Sequence, residues 1–290
     1  MTSFSQFNET DPLEIVIIGS GVGYGQHPEY IEKVNEFQET KMLPREQDLV
    51  YEFKGFKAAL ESLGVEVLQV QPVGKIVYDQ LTPRDIGFVA GNRFVLCNMA
   101  KQSRRYECVG IFEHILRFME YEPNIIIPPP DCLIEGGDVI VDKGRIFVGI
   151  SQRTNMASVR FLTTVFGKDF EVVPVPMRNE GFYLHLDCIF NPVGYDDALI
   201  FSKGIEKMPR ALEDHYNFIE INVREQVALG ANVLSVSPDT LLSRSHVDCA
   251  RINEMLRKKY KVVEVDFSNV PITGGALRCA SLPLRRKKLS

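Results

Sequence analysis

Short runs of β-branched and other apolar residues recur along this chain of 290 residues. The starts of these runs are spaced by roughly 45–60 residues, a period typical of repeated supersecondary units. A segment with apolar residues at helical spacing precedes at least four of the runs. The runs span residues 66–70, 124–128, 171–175, 217–221 and 261–265, and the segments span residues 51–63, 109–119, 157–166 and 247–260. The period predicts a chain built from similar units of strand and helix.

Between these units the sequence shows pairs of apolar runs that predict β-hairpins. One pair spans residues 138–150 around Asp142-Lys143-Gly144, and another spans residues 183–201 around Gly194. We therefore predict a single α/β domain over residues 1–290, made of five modules of paired strands and helices. Five such modules could close into a ring with helices outside and strands inside, so that the module ends collect at the centre.

Composition and charge exclude several classes of function. The net charge of −5 gives no reason to expect a nucleic-acid partner, and the basic run at residues 285–288 is expected to be a solvated tail. No apolar stretch reaches the roughly 18–20 residues that span a bilayer, and the first residues do not resemble a signal peptide. We therefore expect a cytoplasmic protein without a membrane partner. The six cysteines lack zinc-ligand spacing, which predicts neither a structural metal site nor a disulfide framework.

A glycine-rich segment follows the strand predicted at residues 13–18. Residues 19–25 nearly match the dinucleotide fingerprint, but Tyr24 stands at the last glycine position and no helix opens directly afterwards. A loop over a functional site is the favoured interpretation. A dinucleotide-binding oxidoreductase stays open as an alternative.

Four polar segments lie beside predicted strands, and together they suggest one site. They are Arg84-Asp85, Glu135-Gly136-Gly137-Asp138, His185-Leu186-Asp187 and Gly274-Gly275-Ala276-Leu277-Arg278-Cys279. In a strand, residues two apart share a face, so His185 and Asp187 are expected to project together. A thiol such as that of Cys279 becomes a nucleophile when a base and a deprotonating field lie nearby. His185 and Glu135 are candidates to supply them.

The order of these motifs resembles that of the guanidine-modifying enzymes, which include arginine deiminases, dimethylarginine dimethylaminohydrolases and amidinotransferases. The resemblance spans about residues 65–285, and it extends to Ser151-Gln152-Arg153 and to the residues after Cys279. It implies a five-fold pseudosymmetric α/β-propeller, or pentein, of ββαβ modules around a central active site.

The resemblance also implies roles for individual residues. Cys279 would attack the guanidinium carbon to give a covalent thiouronium intermediate, His185 would move protons, and Glu135 would orient His185. Asp85 and Asp187 would hold the planar guanidinium. Arg153 would grip an α-carboxylate, with Arg104 (or Arg105 in its place) as a second grip. No metal and no cofactor are implied.

The clues within the family disagree. An acid at position 187 is typical of deiminases and amidinotransferases, whereas the compact chain is closer in size to dimethylargininases. We favour hydrolysis of arginine or a substituted arginine to citrulline and ammonia or an amine. Dimethylarginine hydrolysis and amidino transfer stay open, as does a non-catalytic binding protein with the same fold. The expected partner is a small guanidino compound, and homo-oligomer formation is left open.

Overall fold

The computed structural model describes residues 3–27, 43–78, 80–118, 124–179 and 183–289. The strands are β1 (Leu13–Ile18), β2 (Glu66–Gln69), β3 (Gly87–Ala90), β4 (Arg93–Leu96), β5 (Ile125–Ile126), β6 (Val139–Asp142), β7 (Arg145–Ile150), β8 (Glu171–Pro176), β9 (Phe190–Val193), β10 (Asp197–Ile200), β11 (Asn217–Glu220), β12 (Leu234–Ser237), β13 (Thr240–Arg244), β14 (Lys261–Val265) and β15 (Ser281–Arg286). The α-helices are α1 (Glu46–Ser62), α2 (Phe112–Leu116), α3 (Met156–Phe166), α4 (Arg210–Glu213), α5 (Val223–Val227) and α6 (Ala250–Arg257).

The strands form five three-stranded sheets with the same internal pattern: β15-β1-β2, β3-β4-β5, β6-β7-β8, β9-β10-β11 and β12-β13-β14. In each sheet the first two strands pair antiparallel, and the third runs parallel to the middle strand. Four modules are continuous in sequence. The fifth joins the two ends of the chain, because Ile18 of β1 pairs with Ser281 of β15.

Local chemistry explains the hairpins and helices that the sequence predicted. Lys143 and Gly144 both have positive φ, of 49° and 70°, and so form the two-residue turn that matches the twist of β6 and β7. Asn155 caps α3 by accepting a hydrogen bond from the backbone N–H of Ser158. In α1 the buried residues lie on one apolar face at helical spacing, and they include Leu49, Phe53, Phe56 and Leu60.

Two predicted helices are shorter than the sequence suggested. Residues 107–111 form a 3₁₀ helix before α2. Gly110 in this helix lies tightly against the segment after β2, where its carbonyl oxygen accepts a hydrogen bond from the backbone N–H of Gln71 at 2.8 Å. A Cβ at Gly110 would lie 2.7 Å from the Gln71 carbonyl oxygen. Residues 247–249 likewise form a 3₁₀ turn before α6. Residue 119, at the end of the helix predicted at residues 109–119, lies outside the described residues.

The geometry of the glycine-rich loop does not support the dinucleotide alternative. The backbone N–H of Gly23 donates to the Glu46 carboxylate at 2.8 Å, so this N–H is not free to bind a phosphate of a dinucleotide. A Cβ at Gly21 would lie 2.6 Å from the Leu49 Cβ, which shows that this glycine serves close packing against α1. Tyr24 is buried in the core beside α1, and the loop over a functional site stays a prediction. Residues 28–42, which follow, are not described.

The prediction that residues 285–288 form a solvated tail is wrong for its first half. Arg285 and Arg286 belong to β15, and Arg286 is 1 % exposed. Its guanidinium donates to the carbonyl oxygens of Asp11 and Ser235, so pairing with β1 carries this charge into the interior. Lys287 and Lys288 are exposed. Within the described residues, no helix has the length and apolar character needed to cross a bilayer.

Candidate active site

The site is built from segments that immediately precede the first strand of each sheet. Asp85, Asn232 and Cys279 each lie two positions before the start of β3, β12 and β15, respectively. Glu135 and His185 lie slightly further from β6 and β9. Repetition of the module therefore brings residues that are remote in sequence to one place, as the sequence predicted for the module ends.

The two glycines of Glu135-Gly136-Gly137-Asp138 allow close approach. A Cβ at Gly136 would lie 2.1 Å from the Arg84 carbonyl oxygen, and one at Gly137 would lie 2.6 Å from Asp85 Oδ1 and 2.8 Å from the His185 ring. Only a residue without a side chain fits at these positions. The Gly-Gly pair therefore sets the distance between Glu135, Asp85 and His185.

The His185 imidazole lies between two carboxylates. Its Nε2 is 2.7 Å from Glu135 Oε2, and its Nδ1 is 3.5 Å from Asp85 Oδ1. Burial disfavours the charged ring, but Asp85 and Glu135 outweigh it and raise the pKa of His185 well above its usual value. Burial also opposes the charge on Glu135, yet His185, Arg104 and Arg153 lower the pKa of that carboxyl to about 2. The pair is an imidazolium and a carboxylate, so His185 is poised as an acid.

The two arginines predicted to grip a carboxylate have different surroundings. Arg104 donates to Asp85 Oδ2 at 2.8 Å and to Thr82 Oγ1 at 2.9 Å, and it forms a two-bond fork with Glu107 at 2.7 and 2.9 Å. Arg153 contacts both oxygens of Glu135 through Nη1 alone, at 3.2 Å each. Within the described residues, the other Arg153 side-chain nitrogens make no hydrogen bond to protein atoms. Four of the five N–H donors of Arg104 are bonded to protein side chains, whereas Arg153 is bonded through Nη1 alone within the described residues.

The Cys279 sulfur lies in a polar setting. Asn232 Nδ2 donates to Cys279 Sγ at 3.1 Å, and Asn232 Oδ1 accepts from the Cys279 backbone N–H at 3.0 Å. The oxygens of Asp187 are 3.6 and 3.7 Å from the same sulfur. Asp187 is held by Arg278 at 2.7 Å. The sulfur thus contacts an amide and a paired carboxylate. The residue Cys279 is buried, with 2 % of its surface exposed.

The predicted sharing of one strand face by His185 and Asp187 is wrong. Residues 186–188 form a 3₁₀ turn with three residues per turn, so alternation does not apply. The Leu186 backbone N–H donates to Asp138 Oδ1 at 2.9 Å, which fixes this turn. His185 therefore faces Glu135, whereas Asp187 faces Arg278 and the sulfur. Leu186 is buried, as expected.

One cavity connects these groups. Its volume is about 300 Å³, and its lining includes Asp85, Lys101, Arg104, Arg153, His185 and Cys279. Glu135 and Asp187 lie behind the lining. The nucleophile candidate and the imidazole therefore face the same space, together with one carboxylate and three cationic side chains.

Comparisons with known proteins agree with this arrangement. The family model described as N,N dimethylarginine dimethylhydrolase, eukaryotic, matches residues 28–286. The chain belongs to this family. With it, the chain belongs to the guanidine-modifying superfamily of hydrolases and amidinotransferases, and it is an enzyme of this kind.

Relatives similar in sequence to this dimethylarginine dimethylhydrolase family member include an uncharacterized protein and an arginine deiminase. The uncharacterized protein YkgA of Bacillus subtilis (strain 168) is 36% identical over 233 residues, which cover 79% of this chain and 77% of YkgA. An arginine deiminase of Borreliella afzelii is 26% identical over 287 residues, covering 82% of this chain and 68% of that protein.

Solved structures share the fold. An inosamine-phosphate amidinotransferase from Streptomyces griseus matches with a TM-score of 0.83 at 20% identity, covering 99% of this chain and 98% of the other. A dimethylarginine dimethylaminohydrolase from Pseudomonas aeruginosa, in complex with citrulline, matches with a TM-score of 0.76 at 20% identity. The match covers 94% of this chain and 99% of the other. At this identity the likeness establishes the α/β fold and leaves the reaction open.

Among the residues that the structure describes, two groups of three potential metal ligands lie in the site. They are Asp85, Glu135 and His185, and Asp187, Cys188 and Cys279. Each carboxylate in these groups already contacts an arginine: Arg104 for Asp85, Arg153 for Glu135 and Arg278 for Asp187. A guanidinium beside each carboxylate opposes the binding of a second cation.

Asn232, which the fourth module contributes to the site, was not predicted from the sequence. Its position could have predicted it, because Asn232 precedes β12 by two residues, as Asp85 and Cys279 precede their strands. Asn191 fixes its backbone by donating to the carbonyl oxygens of Ala231 and Val233. Arg278, named only as the neighbour of the nucleophile, is the partner of Asp187 and of Glu9.

Proposed function

We propose that this chain hydrolyses the guanidino group of arginine or a substituted arginine, giving citrulline and ammonia or an amine, through a covalent thiouronium on Cys279. One observation carries the proposal: Cys279 and His185, the latter paired with Glu135, line the same cavity of about 300 Å³ together with Asp85. A nucleophile, an acid and a carboxylate for a planar cation are the groups that this chemistry requires.

Binding begins with the guanidinium. Asp85 Oδ1 is buried and has no hydrogen-bond partner among the residues that the structure describes, so it can accept an N–H of the substrate. Asp187 lies behind the sulfur and adds negative potential there, although Arg278 partly offsets it. The positive substrate in turn favours the thiolate of Cys279.

Chemistry then proceeds in two stages. Cys279 Sγ forms a bond to the guanidinium carbon, and the C–N bond to the departing nitrogen breaks as His185 gives that nitrogen its proton. Water next attacks the thiouronium carbon while the neutral imidazole accepts one water proton. The C–S bond then breaks to release the thiolate, and the added oxygen gives its second proton to solvent as the C=O bond of citrulline forms. Glu135 stabilises the imidazolium at the start and end of the cycle.

The substrate carboxylate is assigned to Arg153. Its side-chain nitrogens other than Nη1 are available, and a planar fork suits a carboxylate. Arg104, predicted as a second grip, is assigned the positioning of Asp85 because its donors are taken by Asp85, Thr82 and Glu107. Lys101 lines the same cavity and adds positive charge to it.

A second candidate is the hydrolysis of dimethylarginine to citrulline and dimethylamine. The matching family model favours it over the deiminase reaction, since it covers residues 28–286. Amidino transfer stays a third candidate, supported by the fold shared with an amidinotransferase. The two hydrolyses share a thiouronium that keeps the amino-acid side chain, and they differ in the amine that leaves. In amidino transfer the side-chain amine leaves instead, so the thiouronium holds only the amidino group until an acceptor amine takes it.

The test is a product assay with three substrates. The protein is incubated with arginine, with monomethyl- and dimethylarginine, and with arginine plus glycine, and citrulline, released amine and guanidinoacetate are measured. Cys279→Ser should abolish turnover, whereas Cys249→Ser, a buried cysteine by α6, should retain it. Mass spectrometry of acid-quenched enzyme should find the thiouronium on Cys279. Turnover that survives Cys279→Ser would refute the mechanism.

Other predictions belong to the same proposal. A closed five-fold propeller is supported by the five equivalent sheets and by the pairing of the two chain ends. A single domain over residues 1–290, a cytoplasmic location, and the lack of a cofactor, nucleic-acid or membrane partner stay predictions, and homo-oligomer formation stays open.

A further inference from the structure

The mechanism uses one of two sulfur atoms in the site. Cys188 follows Asp187 in the 3₁₀ turn, and its sulfur lies within 4.8 Å of Cys279 Sγ. Both thiols are free, and both side chains are 2 % exposed. Nothing in the proposed hydrolysis requires a thiol at position 188.

We propose that Cys188 is a resolving cysteine: once a hydroperoxide has oxidised Cys279, Cys188 closes a disulfide with it and stores the nucleophile in a reversibly blocked form.

The geometry gives the two thiols different access to an oxidant. Cys279 lines the cavity, whereas Cys188 lies behind that lining. A small peroxide that enters through the cavity therefore meets Cys279 first. The contact with Cys279, burial and the nearby Asp187 all raise the pKa of the Cys188 thiol, so it stays protonated and unreactive until a neighbouring sulfur has been oxidised.

The reaction balances in two steps. Cys279 Sγ attacks a peroxide oxygen, the O–O bond breaks, and the departing alkoxide takes a proton and leaves as an alcohol or as water. This oxidises the sulfur by two electrons to a sulfenic acid. Cys188 Sγ then attacks Cys279 Sγ, the S–S bond forms, the S–O bond breaks, and water leaves. Overall, two thiols and one hydroperoxide give one disulfide, one alcohol (or water) and one water.

Asp187 can accept the proton that Cys188 must lose. Its Oδ1 lies 3.5 Å from Cys188 Sγ and 3.7 Å from Cys279 Sγ, so one carboxylate oxygen contacts both sulfurs. A disulfide requires the sulfurs to approach to about 2.05 Å, so at least one of the two cysteine side chains must move from its position here. The bond would stop nucleophilic attack and also keep Cys279 from further, irreversible oxidation.

The experiment treats the full chain with hydrogen peroxide, blocks remaining thiols with N-ethylmaleimide, and digests with trypsin without reduction. Cleavage after Arg178, Lys203, Arg278 and Arg285 places the two cysteines in separate peptides, 179–203 and 279–285. We expect these peptides joined, at a mass two hydrogens below the sum of the two thiol forms. Dithiothreitol should then restore alkylation of Cys279 by iodoacetamide.

Variants separate a resolving role from incidental oxidation. Cys188→Ser and Cys188→Ala should give sulfinic and sulfonic acid on Cys279, with little recovery of alkylation after dithiothreitol. Cys249→Ser, matched for burial, should behave like the unaltered chain. The proposal fails if Cys279 of the unaltered chain is overoxidised while Cys188 is still alkylated, or if the Cys188 variants recover as fully as the parent. These readouts follow thiols by mass, so they are independent of whether any guanidino compound is turned over.

Discussion

The two walls of the cavity are held together by different forces. We call one the imidazole wall, formed by Asp85, Arg104, Glu135, Arg153 and His185, and the other the sulfur wall, formed by Asp187, Asn232, Arg278 and Cys279. In the imidazole wall every contact between neighbouring side chains joins opposite charges. In the sulfur wall a neutral amide bonds both the sulfur and the backbone N–H of Cys279, and the ion pair of Asp187 with Arg278 lies behind the sulfur.

This difference separates two ways of preparing a reaction. The imidazole wall fixes protonation, because burial makes its charges depend on one another. The sulfur wall fixes position, because a neutral amide that bonds both the backbone and the sulfur leaves Cys279 little freedom. Changes in the first wall should therefore alter pH dependence, whereas changes in the second should alter rate with less effect on pH dependence.

The largest effect is expected from the centre of the imidazole wall. Glu135→Gln removes the carboxylate that contacts His185 at 2.7 Å and helps to raise its pKa. We expect kcat to fall by roughly 10²–10⁴-fold, the contribution of a positioned acid or base. Because the pKa of His185 should also fall, the alkaline limb of the kcat/KM profile should move to lower pH. Rates with arginine and with dimethylarginine across pH 5–10 measure both.

Glu171→Gln supplies the control for this substitution, because Glu171 forms an exposed ion pair with Arg145. It should leave both rate and profile unchanged. A Glu135→Gln enzyme with a normal alkaline limb would show that charge does not govern this wall.

Asp138 offers the next comparison, since it belongs to the same four-residue motif as Glu135 and its pKa is shifted in the opposite direction. Burial raises its pKa to about 6, and the bonds from Ser151 and Leu186 offset this only in part. The native state therefore holds a proton between pH 3.8 and about 6 that the unfolded chain has released, so the free energy of unfolding falls as pH rises through this window.

Asp138→Asn should remove that dependence. Relative to the variant, the unaltered chain should lose about 3 kcal/mol between pH 4 and 7, which corresponds to a shift of about two pKa units. Urea unfolding at several pH values measures the difference. Parallel stability curves for the two proteins would show that Asp138 is not a buried acid with a raised pKa.

The residues of the two walls differ in how well they could be predicted from the sequence. The residues of the imidazole wall were found because acids, arginines and histidine beside glycine turns are distinctive, and the resemblance fixed their order. The five modules were visible because burial imposes a period on apolar residues. The fifth sheet was not visible as a unit, since its strands come from opposite ends of the chain and no local pattern reports that pairing.

The sulfur wall was less accessible to sequence reasoning. Asn232 is an ordinary turn residue until the fold sets it beside Cys279. Asp187 was assigned to the wrong face because the segment reads as a strand, whereas the Leu186 N–H bond to Asp138 makes it a 3₁₀ turn. Long-range hydrogen bonds of this kind depend on how the modules pack, so no regular residue spacing in the sequence predicts them.

A smaller effect is expected in the sulfur wall. Asn232→Ala removes the amide that donates to Cys279 Sγ and accepts from its backbone N–H. A hydrogen bond to a charged group contributes about 1.5–3 kcal/mol, so the rate should fall roughly ten- to hundredfold. The iodoacetamide reaction of Cys279 should slow as well, while the alkaline limb of the profile keeps its position. Asn253→Ala, another buried amide that bonds Ser243 and Arg244, should lower stability without slowing alkylation.

The smallest effect separates the two arginines. Arg153→Lys keeps the charge and loses the planar fork, so KM for arginine should rise roughly two- to tenfold, about 0.5–1.5 kcal/mol, with kcat nearly unchanged. KM for agmatine, which has no carboxylate, should not change. Arg104→Lys breaks the fork to Glu107 and disturbs Asp85, so it should lower kcat for both substrates. If Arg104→Lys instead raised KM for arginine alone, Arg104 would bind the carboxylate directly, and its contacts in the imidazole wall would have to open when substrate enters.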